Sequence, residues 1–568
     1  MSVHHQRIHV FAAAFAVTLF LGACTPPEEA VERREPEKPV ETMPSPQPAP
    51  GPTELERRER TAALAETASD AAAPGTFAAQ RNFAVDPLAG LRRPDRPVDR
   101  ENYAHFDDNP VKRVLEHPVS TFSIDVDTGS YANVRRMLRE GRLPPADAVR
   151  VEEMINYFGY DYPAPEAGGT PFAVTVEQAV TPWNADTRLV QVGIQGWKPE
   201  PAEVPPANLV FLVDVSGSMA SADKLGLLKN ALKMLTRQLD GDDRIAVVVY
   251  AGATGVVLES TPGDRHAEII AALDRLSAGG RTNGAAGIEL AYSLAAQGFV
   301  EDGINRVILA TDGDFNVGTV DFEALKDLAE RKRQTGVAIT TLGFGTGNYN
   351  DHLMEQLADA GNGNYAYIDT LNEARKVLVD ELGATLQTIA SDVKIQVEFN
   401  PAVVAEYRLI GYENRVLARE DFNNDAVDAG EIGAGHTVTA LYEVALVDSD
   451  GQRVDPLRYQ RRTVESPDAD AAPELAFLRL RYKQPGESQS TLVERPIRKA
   501  PIADAEGRLA FAAAVAAFGQ HLRGGKYLEG LDLDAVHELA ARAKGDDPFG
   551  YRGEFLQLVR LAESLQAG

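Results

Sequence analysis

The run Asn208-Leu-Val-Phe-Leu-Val213, followed at once by Asp214-Val-Ser216-Gly-Ser218, constrains this chain more than any other stretch. It lacks the alternation of a half-exposed strand and reads as a strand buried on both faces, as in a parallel sheet covered by helices. A helical pattern follows over 222–238. Open α/β sheets place ligands at loops leaving the C-terminal ends of their central strands. One carboxylate and two hydroxyls at alternate positions of such a loop can converge on a point. All three are hard oxygen donors and only one is charged, which suits a small hard cation such as Mg²⁺. The competing reading is that these residues only cap the next helix.

Two later segments supply matching parts. Gly279-Gly-Arg-Thr282-Asn-Gly284 is a glycine-rich turn that offers one hydroxyl at the start of a helical stretch. Val307-Ile-Leu-Ala-Thr-Asp312-Gly313 is a second buried-strand pattern, and it ends in a carboxylate. Asp-x-Ser-x-Ser, then Thr, then Asp, in that order on strand ends, resembles the metal-ion-dependent adhesion site (MIDAS) of von Willebrand factor type A (VWA) domains. The resemblance covers 206–384 and implies a metal site of Asp214, Ser216, Ser218, Thr282 and Asp312. It implies Ser216, Ser218 and Thr282 as direct ligands, with the two aspartates acting mostly through water. Mg²⁺ is the expected ion, with Mn²⁺ and Ca²⁺ open. Two carboxylates balance a dication, so the metal stays electrophilic toward an Asp or Glu presented by a protein partner. Phe315 and Asn316, on the loop after Asp312, are candidates for partner contact or members of an ordinary packed loop. No base is placed to activate a metal-bound water, so no catalytic residue is assigned.

The single cysteine among 568 residues bears on location. A short basic start with Arg7 leads into an apolar run over 10–21, too short to span a bilayer comfortably and matched to a signal-peptide core. Leu21-Gly22-Ala23-Cys24 resembles a bacterial lipobox, which implies cleavage before Cys24 and acylation there, palmitate included. Several acyl chains exceed what stable anchoring needs. Thr25 in place of Asp favours the outer membrane facing the periplasm over the inner membrane. An ordinary cleaved signal peptide, with Cys24 incidental, is the alternative. From 24 to 104 the chain is rich in Pro, Glu and Ala, with Pro44-Ser-Pro-Gln-Pro-Ala-Pro50 reading as extended polyproline. Such a segment forms no core and serves as a tether. A net charge of −27 argues against nucleic-acid binding and against docking on anionic lipid.

The expected fold is α/β. A doubly wound, Rossmann-like VWA domain with a parallel sheet occupies 206–384. A smaller α/β region over 105–205 precedes it, and a sandwich-like then helical region over 385–568 follows. Both flanks resemble regions found around the A domain in one group of bacterial lipoproteins, and they are expected to pack together beside it. In the helical end, Leu509, Phe511, Ala512, Val515 and Phe518 read as one core face.

Other motifs weigh little. Asp127-Thr-Gly-Ser130 looks like an aspartic-protease loop, but no second copy exists to share the proton and a helical pattern follows. Asp125 and Asp127 are a weak extra cation site. The acidic stretch over 421–428 lacks the glycine and glutamate of a calcium loop. The sequence therefore points to a lipid-anchored envelope protein that binds a partner through a metal. A scaffold in which the metal only stabilises the domain is the alternative, and an envelope hydrolase a remote one.

Overall fold

The computed structural model describes residues 101–567 except 167–168, 200–203, 281–283, 314–321, 348 and 459–473. The leader, Cys24 and the tether to residue 100 lie outside the described residues.

Ahead of the A domain come β1 (Lys112–Arg113), β2 (Val119–Ser123), α1 (Gly129–Arg139), α2 (Val151–Asn156), β3 (Phe172–Thr181) and β4 (Asn184–Gly196). The A domain then runs β5 (Ala207–Asp214), α3 (Leu227–Thr236), β6 (Arg244–Tyr250), β7 (Thr254–Pro262), α4 (His266–Asp274), α5 (Gly284–Gln297) and β8 (Ile304–Thr311). It closes with α6 (Phe322–Arg333), β9 (Ala338–Phe344), α7 (Asp351–Ala360), β10 (Tyr365–Ile368) and α8 (Leu371–Arg375).

The A-domain sheet has the order β10-β9-β8-β5-β6-β7. Every residue of β5 is buried, and its side chains alternate between two cores. Leu209, Phe211 and Val213 pack beneath α3, α4 and α8. Val210 and Leu212 pack beneath α5, α6 and α7. Each such side chain contributes about 1.5–3 kcal/mol through burial, which holds the register of the strand that carries Asp214. The sheet departs from the all-parallel expectation at one edge, where β7 pairs with β6 antiparallel. Only Ala251-Gly-Ala253 separates those strands. That link suffices for a hairpin, whereas a parallel crossover needs a dozen or more residues.

After the A domain come α9 (Leu382–Leu386), β11 (Thr388–Phe399), β12 (Val404–Ile410), β13 (Ile432–Gly433), β14 (Thr437–Leu446), β15 (Glu474–Lys483) and β16 (Thr491–Arg498). The helices α10 (Gly507–Leu522), α11 (Leu533–Arg542) and α12 (Tyr551–Ala567) follow. The strands on either side of the A domain interleave. One sheet has the order β1-β12-β14-β4-β3, and the other runs β13-β11-β15-β16 with β2 also paired to β11. Val438 of β14 lies opposite Ile194 of β4, and Ile395 of β11 lies opposite Phe122 of β2. The two sheets face each other across one core that includes Phe122, Ile194, Ile395, Tyr442 and Leu480. The A domain is thus inserted in sequence between β4 and β11 of a single sandwich.

The five expected core residues of α10, Leu509, Phe511, Ala512, Val515 and Phe518, are all buried, and the burial extends round the helix. Every residue from Leu509 to Gln520 is buried, because α2, α11 and α12 surround the helix. A helix that is apolar all round belongs in an interior. Phe158, two residues past α2, packs edge-on against Phe511 and Phe555.

Buried arginines tie the three parts of the sequence together. Arg135 of α1 bonds Asp369, Glu373 of α8, Glu554 of α12 and the Tyr157 hydroxyl. Arg150 reaches Glu153, Asp351 and Glu355 at 3.1, 3.5 and 3.0 Å. Arg415, from the C-terminal segment, pairs with Asp125 and Glu355 at 3.1 Å, Asp127 at 3.5 Å and Asp359 at 2.7 Å. Removing one partner of a buried pair costs about 3–5 kcal/mol, because it strands the opposite charge.

Carboxylates outnumber arginines here. Glu152 is fully buried, and its Oε2 has no hydrogen-bond partner among the described residues. Burial first, then Glu413 and Asp125, push its carboxyl up to about 8. Burial raises Glu153 and Glu355 in the same direction. A folded-state value above the unfolded 4.5 gives stability that is complete below 4.5 and lost as pH rises through about 8. Glu152→Gln should therefore match the wild-type urea midpoint at pH 4 and exceed it at pH 9. Equal midpoints at both pH values would show that Glu152 is not the titrating group.

Candidate functional site

The site forms where the chain direction across the sheet reverses. From β5 the chain steps to β6 on one side and later returns to β8 on the other, leaving a crevice at the carboxyl ends of β5 and β8. These strands pair in parallel, with Val213 opposite Ala310. Asp214 and Asp312 consequently leave adjacent strand ends, and both are fully buried.

The loop after β5 is fixed by its own backbone and by one anchor. Ser216 donates its amide to Asp214 Oδ1 at 2.8 Å. Met219 bonds back to Ser216 and buries its side chain in the core beneath α3. The Ser216 and Ser218 hydroxyl oxygens lie 2.9 Å apart, Ser216 buried and Ser218 half-exposed. The other Asp214 oxygen accepts from Thr311 at 3.0 Å and from the Tyr250 hydroxyl at 3.3 Å. Burial raises the Asp214 carboxyl above its ordinary value, opposed by the Ser216 amide. Burial likewise raises the Tyr250 phenol, which stays a donor.

The glycine-rich turn closes on the same loop. Gly279 donates to the Val215 carbonyl at 2.7 Å, and Gly217 donates to the Gly280 carbonyl at 3.2 Å. Thr282, two residues further on, lies outside the described residues, as do Phe315 and Asn316. The structure thus brings together Asp214, Ser216, Ser218 and Asp312, and sets Gly279 and Gly280 against the loop that carries the serines.

These donors fit the expected ion. The Ser216 and Ser218 hydroxyls hydrogen-bond to each other at 2.9 Å, so the fit rests on the donor set: two hydroxyls and two buried carboxylates, all hard oxygens. Asp214, Ser216, Ser218 and Asp312 would hold the ion, and a bound dication would supply an electrophilic position for an anion.

One neighbour was missed in the sequence. Lys224, in a π-helical turn over Ala222–Gly226, is buried and donates to Asp312 Oδ2 at 2.9 Å. Its stem passes over Gly345, just after β9, where an added Cβ would come within 2.2 Å of Lys224 Cε. The balance of two carboxylates against one dication therefore omits a cation. The only sequence signal was a lysine ten residues after Asp214, hidden in an amphipathic pattern.

The other acidic groups are engaged elsewhere. Asp125, Asp127 and Glu355 carry carboxylate oxygens within 4.8 Å of one another, but the Arg415 guanidinium is the cation they surround. Asp127 also accepts from the Tyr365 amide at 2.9 Å, and Gly129 begins α1, so the Asp-Thr-Gly-Ser stretch is a helix entry. Gly129 is required there, since a Cβ would meet the Tyr365 ring at 2.3 Å. Around 421–428, Asp421 caps Ala418, Asp425 bonds Ser490 and Asp428 pairs with Arg333, so these carboxylates do not converge.

Comparison with known proteins agrees with this architecture. Residues 208–380 match the von Willebrand factor type A domain, and 97–191 match a von Willebrand factor region. Residues 384–565 match the C-terminal domain of the uncharacterised protein YfbK. YfbK of Escherichia coli K12 is 49% identical over 476 residues, covering 82% of this chain and 81% of YfbK. The chain belongs to the YfbK family of VWA-domain proteins. The uncharacterised protein sll0103 of Synechocystis is 33% identical over 169 residues, which span 30% of this chain and 39% of that protein. A solved von Willebrand factor type A structure from Catenulispora acidiphila aligns over 70% of this chain and 91% of its own, at 17% identity and a TM-score of 0.38. VWA domains serve protein–protein interaction and adhesion, and commonly bind a divalent metal at the MIDAS.

A ligand that binds only the folded state stabilises it by mass action, by about 2.7 kcal/mol at a hundredfold excess over Kd. Mg²⁺ should therefore raise the melting temperature of the wild-type chain, and Asp214→Asn should remove that increment. An equal increment in the variant would place the binding elsewhere.

Proposed function

We propose that the chain is a cell-envelope protein that captures an Asp or Glu of a partner protein through a divalent metal, Mg²⁺ first. The metal is held by Asp214, Ser216, Ser218, Thr282 and Asp312. The observation that carries this reading is the placement of two fully buried carboxylates on adjacent parallel strand ends, beside a hydrogen-bonded serine pair of the same loop. Lys224 offsets one of the two buried carboxylate charges, and a dication would compensate the charge that remains. The role is recognition rather than catalysis. In support, Tyr250, Thr311 and Lys224 are all directed at the two aspartates and so position the anionic donors.

The test is crosslinking and recovery from envelope fractions, comparing the wild-type chain with Asp312→Ala, each with and without EDTA. Partners should be lost on both treatments, and an unchanged partner set would overturn the reading. Thr282→Ala separates capture from a purely stabilising metal. Lost binding by a variant that is still folded at the assay temperature, and whose melting temperature in EDTA equals that of the wild type, supports capture.

Anchoring is part of the proposal. Leu21-Gly22-Ala23-Cys24 would place a lipid-modified Cys24 at the head of a polar tether, on the outer membrane facing the periplasm. Metabolic labelling with a palmitate analogue should mark the wild-type chain and not Cys24→Ser. Equal labelling of the two would exclude Cys24 as the acylated residue.

A further inference from the structure

We propose that Lys224 is a built-in counter-charge of the metal site, weakening its hold on the dication while strengthening its attraction for the partner's anion. This rests on the metal reading above. The geometry is specific. Lys224 Nζ donates to Asp312 Oδ2 at 2.9 Å, and the two side chains are 8% and 0% exposed. The ammonium cannot easily leave that position. Its stem is confined against Gly345, which has positive φ and no room for a Cβ. Its backbone is held in a π-helical turn, a feature that recurs at functional sites because it re-aims one side chain within a helix.

Charge counting gives the consequence. Asp214, Asp312 and Lys224 sum to −1, so a bound dication leaves the group at +1, where the aspartates alone would leave it neutral. Within a buried site, one unit of charge acts through a low dielectric and is weakly screened by salt. Lys224 should therefore oppose metal binding and favour a carboxylate at the open position. It does so through Asp312, as a positioning residue that also keeps one Asp312 oxygen away from the ion.

The opposite signs of the two effects make the idea testable, since a merely structural lysine would weaken both when removed. Mn²⁺ affinity is measured by electron paramagnetic resonance on the full chain, and acetate capture by its relaxation on protein-bound Mn²⁺. Lys224→Met should bind Mn²⁺ at least tenfold more tightly and acetate at least threefold more weakly, while Lys224→Arg keeps wild-type behaviour. Lys224→Gln, which retains a donor without the charge, should follow Lys224→Met and replaces it if the methionine variant does not fold. Unchanged or weaker Mn²⁺ binding by a folded neutral variant would overturn the role of Lys224 and leave the metal site standing. A wild-type chain that binds no Mn²⁺ would overturn the metal reading, and this inference with it.

Discussion

Parallel pairing between β5 and β8 is the constraint on which the site depends. Because both strands run the same way and are buried on both faces, their last residues emerge side by side at one edge of the sheet. The two aspartates need no further chain folding to meet. The short hydrogen-bonded loop after Asp214, anchored by Met219, then turns two serine hydroxyls back over the same spot. Burial makes the arrangement electrostatically demanding, and Tyr250, Thr311 and Lys224 answer part of that demand from the protein itself.

A second set of interactions fixes how the A domain sits in the rest of the molecule. Arg135, Arg150 and Arg415 each join carboxylates from distant parts of the sequence. Buried ion pairs of this kind add little net stability compared with apolar packing, because desolvation offsets the attraction. They are directional, however, and a guanidinium can satisfy several carboxylates only in one arrangement. The apolar cores hold the sandwich and helices together, while the arginines specify the orientation of α7 and α8 against them.

The sequence was most informative where periodicity and chemistry coincided. The buried runs of β5 and β8, the hydroxyls of Ser216 and Ser218 and the carboxylates of Asp214 and Asp312 all lay in plain view. β12 and β16 were not expected as strands. β12 carries Glu406 and Arg408 in its middle, buried against partners that only the fold brings near. β16 contains Pro496, which argues against a strand unless it lies at an edge, and it does lie at one. α10 read as having one apolar face, because its many alanines pattern weakly until all its neighbours are known.

By itself, the sequence determined that a strand buried on both faces ends in an Asp-x-Ser-x-Ser loop, and that a second such strand ends in Asp312. Local pattern decides those things, because burial and loop chemistry are written in consecutive residues. Only the tertiary structure decided that strands before and after the A domain share two sheets. Hydrophobic alternation tells which face of a strand is buried but not which strand lies beside it. Tertiary structure alone also decided that Lys224 reaches Asp312, eighty-eight residues away in sequence. A charge acts on whatever the fold places next to it, and that proximity is not encoded in either residue's own neighbourhood.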